Sequence, residues 1–177
     1  GVSLSNLPLL HECGLDAGGL EGRVVDENTL MARLDSIREK KQAVLHMDIP
    51  TDWELYGDPF YWTQILFNLV ENALKQNTEP GLSITVAAAK TQDACVITVT
   101  DTGVGIPAES IPFLFNRFYR VETHHSSEIR GTGLGLSIVK RAVEAHDGAI
   151  TVSSIPHRET VFTITIPLKR FREEKTA

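Results

Sequence analysis

Cysteine, positive charge and long apolar runs are all scarce in this chain. Its 177 residues include two cysteines, Cys13 and Cys95, with no CxxC spacing. A disulfide framework or a thiolate metal site is therefore not expected, and two buried or free thiols in a reducing compartment are the simpler account. No apolar run approaches the roughly 20 residues that a membrane-spanning helix needs, and the start carries no basic and apolar secretory segments. The expected location is cytoplasmic, with no membrane contact by this domain. Seventeen Lys and Arg against 23 Asp and Glu leave a net charge of -6, which argues against nucleic acid or an anionic bilayer as the main partner, since both demand a basic face. An anionic ligand must find local positive charge. Also missing are the GxxxxGK[ST] of a P-loop, the spacing of the dinucleotide fingerprint, and the His-Arg-Asp and Asp-Phe-Gly motifs of the protein-kinase fold.

What is present is a domain's worth of alternating elements. Residues 1–22, with Gly14, Gly18, Gly19 and Gly22, suit a linker or the end of a preceding element, and the compact domain is expected over 23–168, with a frayed tail at 169–177. Helical spacing of Leu30, Met31, Leu34 and Ile37 predicts a helix over 28–41. A strand is expected over 43–49, and a longer helix starts at Asp58-Pro59, where proline sits in the permissive first turn. Alternation predicts a hairpin of 82–89 and 94–101. A polar stretch, 116–130, is expected to be mobile. A helix follows over 134–146, with Gly148 in the position of a C-terminal glycine, and strands are expected over 149–154 and 160–168. Without strict strand-helix alternation, the fold expected is an α/β two-layer sandwich: a mixed sheet with helices on one face.

Four short segments carry chemistry. On the helix after Pro59, Asn68, Asn72 and Lys75 stand at i, i+4 and i+7 and share one face, while Trp62, Ile65, Leu66, Leu69, Val70, Ala73 and Leu74 share the other. The polar stripe could be an ordinary solvated face. Asparagine is, however, a mediocre helix former that gains little from solvent, whereas an amide oxygen suits a hard cation such as Mg²⁺ and an ammonium suits phosphate. In the strand ending at Asp101, a carboxylate occupies the face that Cys95, Ile97 and Val99 share. It needs a donor, and an adenine exocyclic amine is one; Gly103 and Gly105 let the backbone turn tightly beside a flat base. A plain Asp-Gly turn is the alternative. Gly131, Gly133 and Gly135 lead into a helix whose free N–H groups and dipole could meet phosphate. Arg117, Arg120 and Arg130 bring cations between these segments and could close over a triphosphate. His124, His125 and Glu128 match no standard metal spacing. Phe115 and Phe118 are expected to be anchors in the core rather than base-stacking groups.

In their order, Asn68–Lys75, Asp101–Gly105, Phe115–Arg120 and Gly131–Leu136 resemble the N, G1, F and G2 boxes of the ATP-binding domain of sensor histidine kinases, in the superfamily that also holds gyrase, Hsp90 and MutL ATPases. The resemblance implies the Bergerat sandwich, with ATP and Mg²⁺ as cofactors. It implies that Asn72 ligates Mg²⁺ with Asn68 assisting, that Lys75 contacts phosphate and that Asp101 binds the adenine amine. Gly103, Gly105, Ile106, Tyr119, Arg120, Gly131, Thr132, Gly133, Leu134, Gly135 and Leu136 would line the nucleotide, and 116–130 would form a lid. Hydrolytic relatives carry a glutamate where Asn68 stands, and an amide cannot activate water. The chain thus resembles a donor that holds ATP for transfer. His11-Glu12 lacks the Arg-x-Pro of the family's acceptor segment and lies too close to the first box, so the acceptor histidine is expected on a dimerisation domain outside the chain. A response regulator receiver domain is the partner that follows. Gln76-Asn77, Asp147-Gly148 and His157 to Thr160 depart from the family's usual aromatic-Ser/Thr, Gly-Gly and Gly-rich turn. Two rivals remain at this level: a degenerate docking module, and a serine kinase of the anti-sigma type.

Overall fold

The computed structural model of the chain describes residues 2–3, 39, 42–48, 53–55, 59–77, 80–121, 133–167 and 171–173. Its centre is a five-stranded mixed sheet. The strands are β2 (Val44–Asp48), β4 (Ser83–Lys90), β5 (Ala94–Asp101), β6 (Ala149–Ile155) and β7 (Glu159–Pro167), in the order β2-β4-β5-β7-β6. β2 runs parallel to β4 and every other pairing is antiparallel. Three short strands, β1 (Val2–Ser3), β3 (Trp53–Leu55) and β8 (Phe171–Glu173), form a separate antiparallel sheet in the order β1-β3-β8.

Register gathers the buried apolar side chains of the three central strands on one face. Val99 stands opposite Val86 on one side and Phe162 on the other; Ile97 meets Ile164 and Cys95 meets Ile166 in the next rows. These side chains are almost wholly buried. Helices α1 (Pro59–Gln76) and α2 (Gly135–Ala145) cover that face. α1 contributes Ile65, Leu66, Leu69, Val70, Ala73 and Leu74, and α2 contributes Val139, Ala142 and Val143, the i, i+3, i+4 spacing of an apolar stripe seated on a sheet. The expected two-layer α/β sandwich is the observed fold. The helix expected over 28–41 lies outside the described residues apart from Glu39, which is helical.

Three local expectations change. The tail expected to fray supplies β8, whose three residues pair with β3; a ladder that short leaves no periodic signal in sequence, and β3 provides its partner. The second helix ends in a left-handed Asp147 (φ +59°) rather than at Gly148. Gly148 is needed for a different reason: a Cβ there would stand 2.9 Å from the Thr165 carbonyl oxygen. Phe118 is not a core anchor, being 67 % exposed with φ +64°. Phe115 is half-buried and meets the Phe162 ring edge-on at 6.3 Å. A backbone in the left-handed region turns the Phe118 side chain away from the layer that holds its neighbour.

Candidate nucleotide site

The site begins at the end of β5, where the apolar column Cys95, Ile97, Val99 closes on Asp101. This carboxylate is 6 % exposed, flanked across the ladders by Ile84 and Thr160. Burial pushes its pKa above the usual carboxylate range; hydrogen bonds from the Gly103 N–H and the Asn77 amide pull the other way and only partly offset it. The Gly103 N–H donates to Oδ1 at 3.0 Å. A buried carboxylate at a strand end, held by two neutral donors, retains acceptor capacity for a ligand N–H.

Past Asp101 the chain makes a turn that only glycine permits. Gly105 has φ +72°, and a Cβ there would fall 2.6 Å from the Ile155 carbonyl oxygen. The turn is pinned from two sides. The Ile106 N–H donates to Ser154 Oγ at 2.8 Å, Ser154 Oγ donates to the Glu159 carbonyl at 2.7 Å, and the His157 N–H donates to the Val104 carbonyl at 2.7 Å. The β6–β7 turn therefore props the loop that carries Gly103 and Gly105. Ile106 is itself 9 % exposed and joins the core. His157 stands at φ +59°, in the left-handed region that favours glycine.

On α1, Asn68, Asn72 and Lys75 are half-buried rather than solvated, as the shared face requires. Asn68 Nδ2 donates to the Gln64 carbonyl at 2.8 Å. Its Oδ1 lies 3.1 Å from where a Cβ on Gly135 would stand, so the helix stripe reaches the first residue of α2. Lys75 Nζ is 2.8 Å from Glu71 Oε1, an i,i+4 pair within the same stripe. Two amide side chains one turn apart are a donor set that a hard cation accepts, since each offers a neutral oxygen. Among the described residues no cluster of three His, Cys, Asp or Glu could hold a metal. His124, His125, Glu128 and Arg130 lie outside them.

The third wall is the start of α2. Leu134 is its N-cap, with Ser137 Oγ donating back to the Leu134 carbonyl at 2.8 Å. Gly133, Leu134, Gly135 and Leu136 are half-buried; Gly131 and Thr132 lie outside the described residues. Gly133 has φ +69°, and its carbonyl accepts from the Phe118 N–H at 2.9 Å. The segment after Phe113 is therefore tied to the start of α2. Tyr119 stacks at a tilt on Phe113, ring centroids 5.7 Å apart, and the Arg117 guanidinium lies over the Phe118 ring at 5.6 Å. Arg120 is exposed.

One residue escaped the sequence reading. Asn77, noted only as a departure from a family pattern, is 3 % exposed. Its Nδ2 donates to the Ala73 carbonyl at 2.6 Å and its Oδ1 accepts from the Val104 N–H at 2.6 Å. Nothing in the sequence marked the amide as buried; once buried, such a group must find partners.

Residues 57–170 match the family model of histidine kinase-, DNA gyrase B- and HSP90-like ATPases. The adaptive-response sensory kinase SasA of Synechococcus elongatus is 39 % identical over 153 residues, which are 84 % of this chain and 39 % of SasA. The chain thus spans well under half the length of that relative. Among solved structures, a mycobacterial sensor histidine kinase, MprB, superimposes with a TM-score of 0.65 at 27 % identity, covering 81 % of this chain and 96 % of that one. Full-length ShkA, solved with AMPPNP, gives a TM-score of 0.60 at 26 % identity over 81 % of this chain and 30 % of its own. With the fold, the four segments and the family model in agreement, the chain belongs to the histidine kinase-, DNA gyrase B- and HSP90-like ATPase family, and ATP is the nucleotide that membership implies.

Proposed function

We propose that this chain is the phosphoryl-donor domain of a two-component sensor histidine kinase, which binds ATP with Mg²⁺ and presents the γ-phosphate to a histidine on a separate helical dimerisation domain. A receiver domain of a response regulator then takes the phosphoryl group from that histidine. The observation that carries the reading is Asp101, a buried carboxylate at a glycine turn, held by two neutral donors. The likeness to MprB, and to ShkA with its bound AMPPNP, supports it.

In this reading the Asp101 carboxylate accepts from the adenine exocyclic amine, and Gly103, Gly105 and Ile106 shape the surface against the ring. Lys75 meets phosphate, and Gly131, Thr132, Gly133, Leu134, Gly135 and Leu136 offer backbone N–H groups at the start of α2, where the helix dipole favours an anion. Tyr119 and Arg120 close the outer edge. Asn72, with Asn68 beside it, would hold Mg²⁺. When bound, that ion neutralises charge on the phosphates. Neither amide can deprotonate water, so the site lacks a base at the place where Asn68 stands and hydrolysis is slow. Catalysis then rests on positioning and charge neutralisation.

Calorimetric titration of the folded chain with ATP and Mg²⁺, beside Asp101→Asn and Asn72→Ala, tests the proposal. Binding by the wild type that weakens about 10- to 100-fold in each variant, the worth of one hydrogen bond to a charged group or one ligand contact, is expected. Addition of a histidine-bearing dimerisation domain should then yield an acid-labile phosphohistidine. A folded wild type that binds no ATP overturns the donor role.

A further inference from the structure

Asn77 joins the end of α1, the glycine turn and the Asp101 carboxylate. It follows the last residue of α1, and its Nδ2 donates to the Ala73 carbonyl within that helix's final turn at 2.6 Å. Its Oδ1 accepts from the Val104 N–H at 2.6 Å, across 27 positions of sequence. Its amide also hydrogen-bonds the Asp101 carboxylate. The space is filled: a Cβ on Gly103 would overlap the Asn77 amide outright. At 3 % exposure the group is shielded from water, and an amide so placed has one orientation that satisfies both of its ends.

We propose that Asn77 is a positioning residue for base recognition, which locks the glycine turn to the end of α1 and fixes the Asp101 carboxylate in the orientation that accepts a 6-amino group of a purine. This rests on the adenine-binding role given to Asp101 above. Asn77 itself stays behind the carboxylate and the turn. Its effect is specificity for an aminopurine over a 6-oxopurine, because a displaced carboxylate loses the amine contact while the phosphate-binding wall, built from α1's outer stripe and the start of α2, is untouched.

The test compares ATP with ITP, which carries a 6-oxo group in place of the amine and the same ribose triphosphate. Affinities of the full chain for each, with Mg²⁺, are measured by calorimetry for the wild type, Asn77→Ala and Asn77→Leu. The wild type is expected to prefer ATP. In both variants ATP binding is expected to weaken about tenfold, as for loss of one charge-assisted hydrogen bond, while ITP affinity stays within about twofold, so the ratio collapses. A generic loss of structure would weaken both nucleotides together. Should Asn77→Ala fail to fold, Asn77→Leu carries the measurement, its side chain filling the same space without a hydrogen-bonding group. A wild type that binds neither nucleotide overturns the donor reading and this assignment with it. A wild type that prefers ATP, with variants that keep its ATP-to-ITP ratio, overturns the role of Asn77 alone.

Discussion

Gly133 lies back to back with Phe118: the Phe118 N–H donates to the Gly133 carbonyl at 2.9 Å, and a Cβ on Gly133 would stand 2.9 Å from the Phe118 Cα. The two ends of the intervening stretch are thereby joined at one point, with Gly133 at φ +69°. Gly133→Ala therefore meets a conformational cost of about 1–2 kcal/mol and a backbone overlap that cannot swing aside. Loss of at least about 2 kcal/mol, a fall in Tm of roughly 4–8 °C for a domain of this size, is the expected result of thermal unfolding. Gly81→Ala is the control. Gly81 has φ +88° but open space around it, so only the conformational cost applies. Equal losses in the two variants would show that the contact with Phe118 costs nothing.

Asp101→Asn is expected to stabilise the protein at neutral pH while weakening ATP. Burial raises the folded-state pKa of Asp101 above its ordinary value, so the native state binds its proton more tightly than the unfolded state does. Stability from this group is then fully present below the ordinary carboxylate pKa and lost as pH rises through the raised folded value. An asparagine has no such loss. Chemical denaturation across pH should show the variant's advantage greatest at neutral pH and vanishing in acid. A variant less stable than the wild type at pH 7 would mean that the donors from Gly103 and Asn77 outweigh the desolvation.

How far the site was legible in sequence divides along physical lines. Asp101 announced itself by breaking an apolar alternation, and Gly105 and Gly133 by a spacing whose left-handed backbone the structure displays. Helical periodicity put Asn68, Asn72 and Lys75 on one face, while their roles came from the resemblance to the family's first box. Asn77 was not legible, because two of its three hydrogen-bond partners, Asp101 and Val104, lie on a distant part of the chain, Val104 27 residues away, and periodicity carries no information on such contacts. The left-handed place at the end of α2 was assigned to Gly148 because glycine is the usual occupant, whereas Asp147 takes it. Phe118 was placed in the core by residue type, which says nothing of a positive φ that turns the ring outward.

Two of these departures from glycine are expected to be reversible gains. Asp147 and His157 both sit at φ +59°, where a side chain costs about 1–2 kcal/mol. Part of that returns as greater freedom of a glycine in the unfolded chain. Asp147→Gly and His157→Gly should each stabilise by about 0.5–1 kcal/mol in urea denaturation. The backbone bonds survive either change, since the Asp147 N–H donates to the Glu144 carbonyl at 3.0 Å and the His157 N–H to the Val104 carbonyl at 2.7 Å. ATP affinity should be unchanged in Asp147→Gly. A loss of stability in either variant would mean that the Asp or His side chain itself holds the turn.

Glu71 and Lys75 should act on ATP with opposite signs. Their 2.8 Å ion pair spans i,i+4 with the acid toward the helix N-terminus, the favourable order, and both side chains are partly exposed. Such a pair is worth only about 0.3–0.5 kcal/mol of stability, so Lys75→Met and Glu71→Gln should each unfold within about 0.5 kcal/mol of the wild type. In binding they diverge. A triphosphate competes with Glu71 for the Lys75 ammonium and is repelled by the carboxylate beside it. Lys75→Met removes the attraction and should weaken ATP about tenfold, one charge-assisted contact. Glu71→Gln removes the competitor and should tighten ATP a few-fold at low salt, an effect that shrinks as ionic strength rises and screens the charge. Calorimetry at two salt concentrations separates these outcomes: if both variants weaken ATP, the ion pair is itself part of the site's geometry, with Glu71 holding Lys75 where the phosphate needs it.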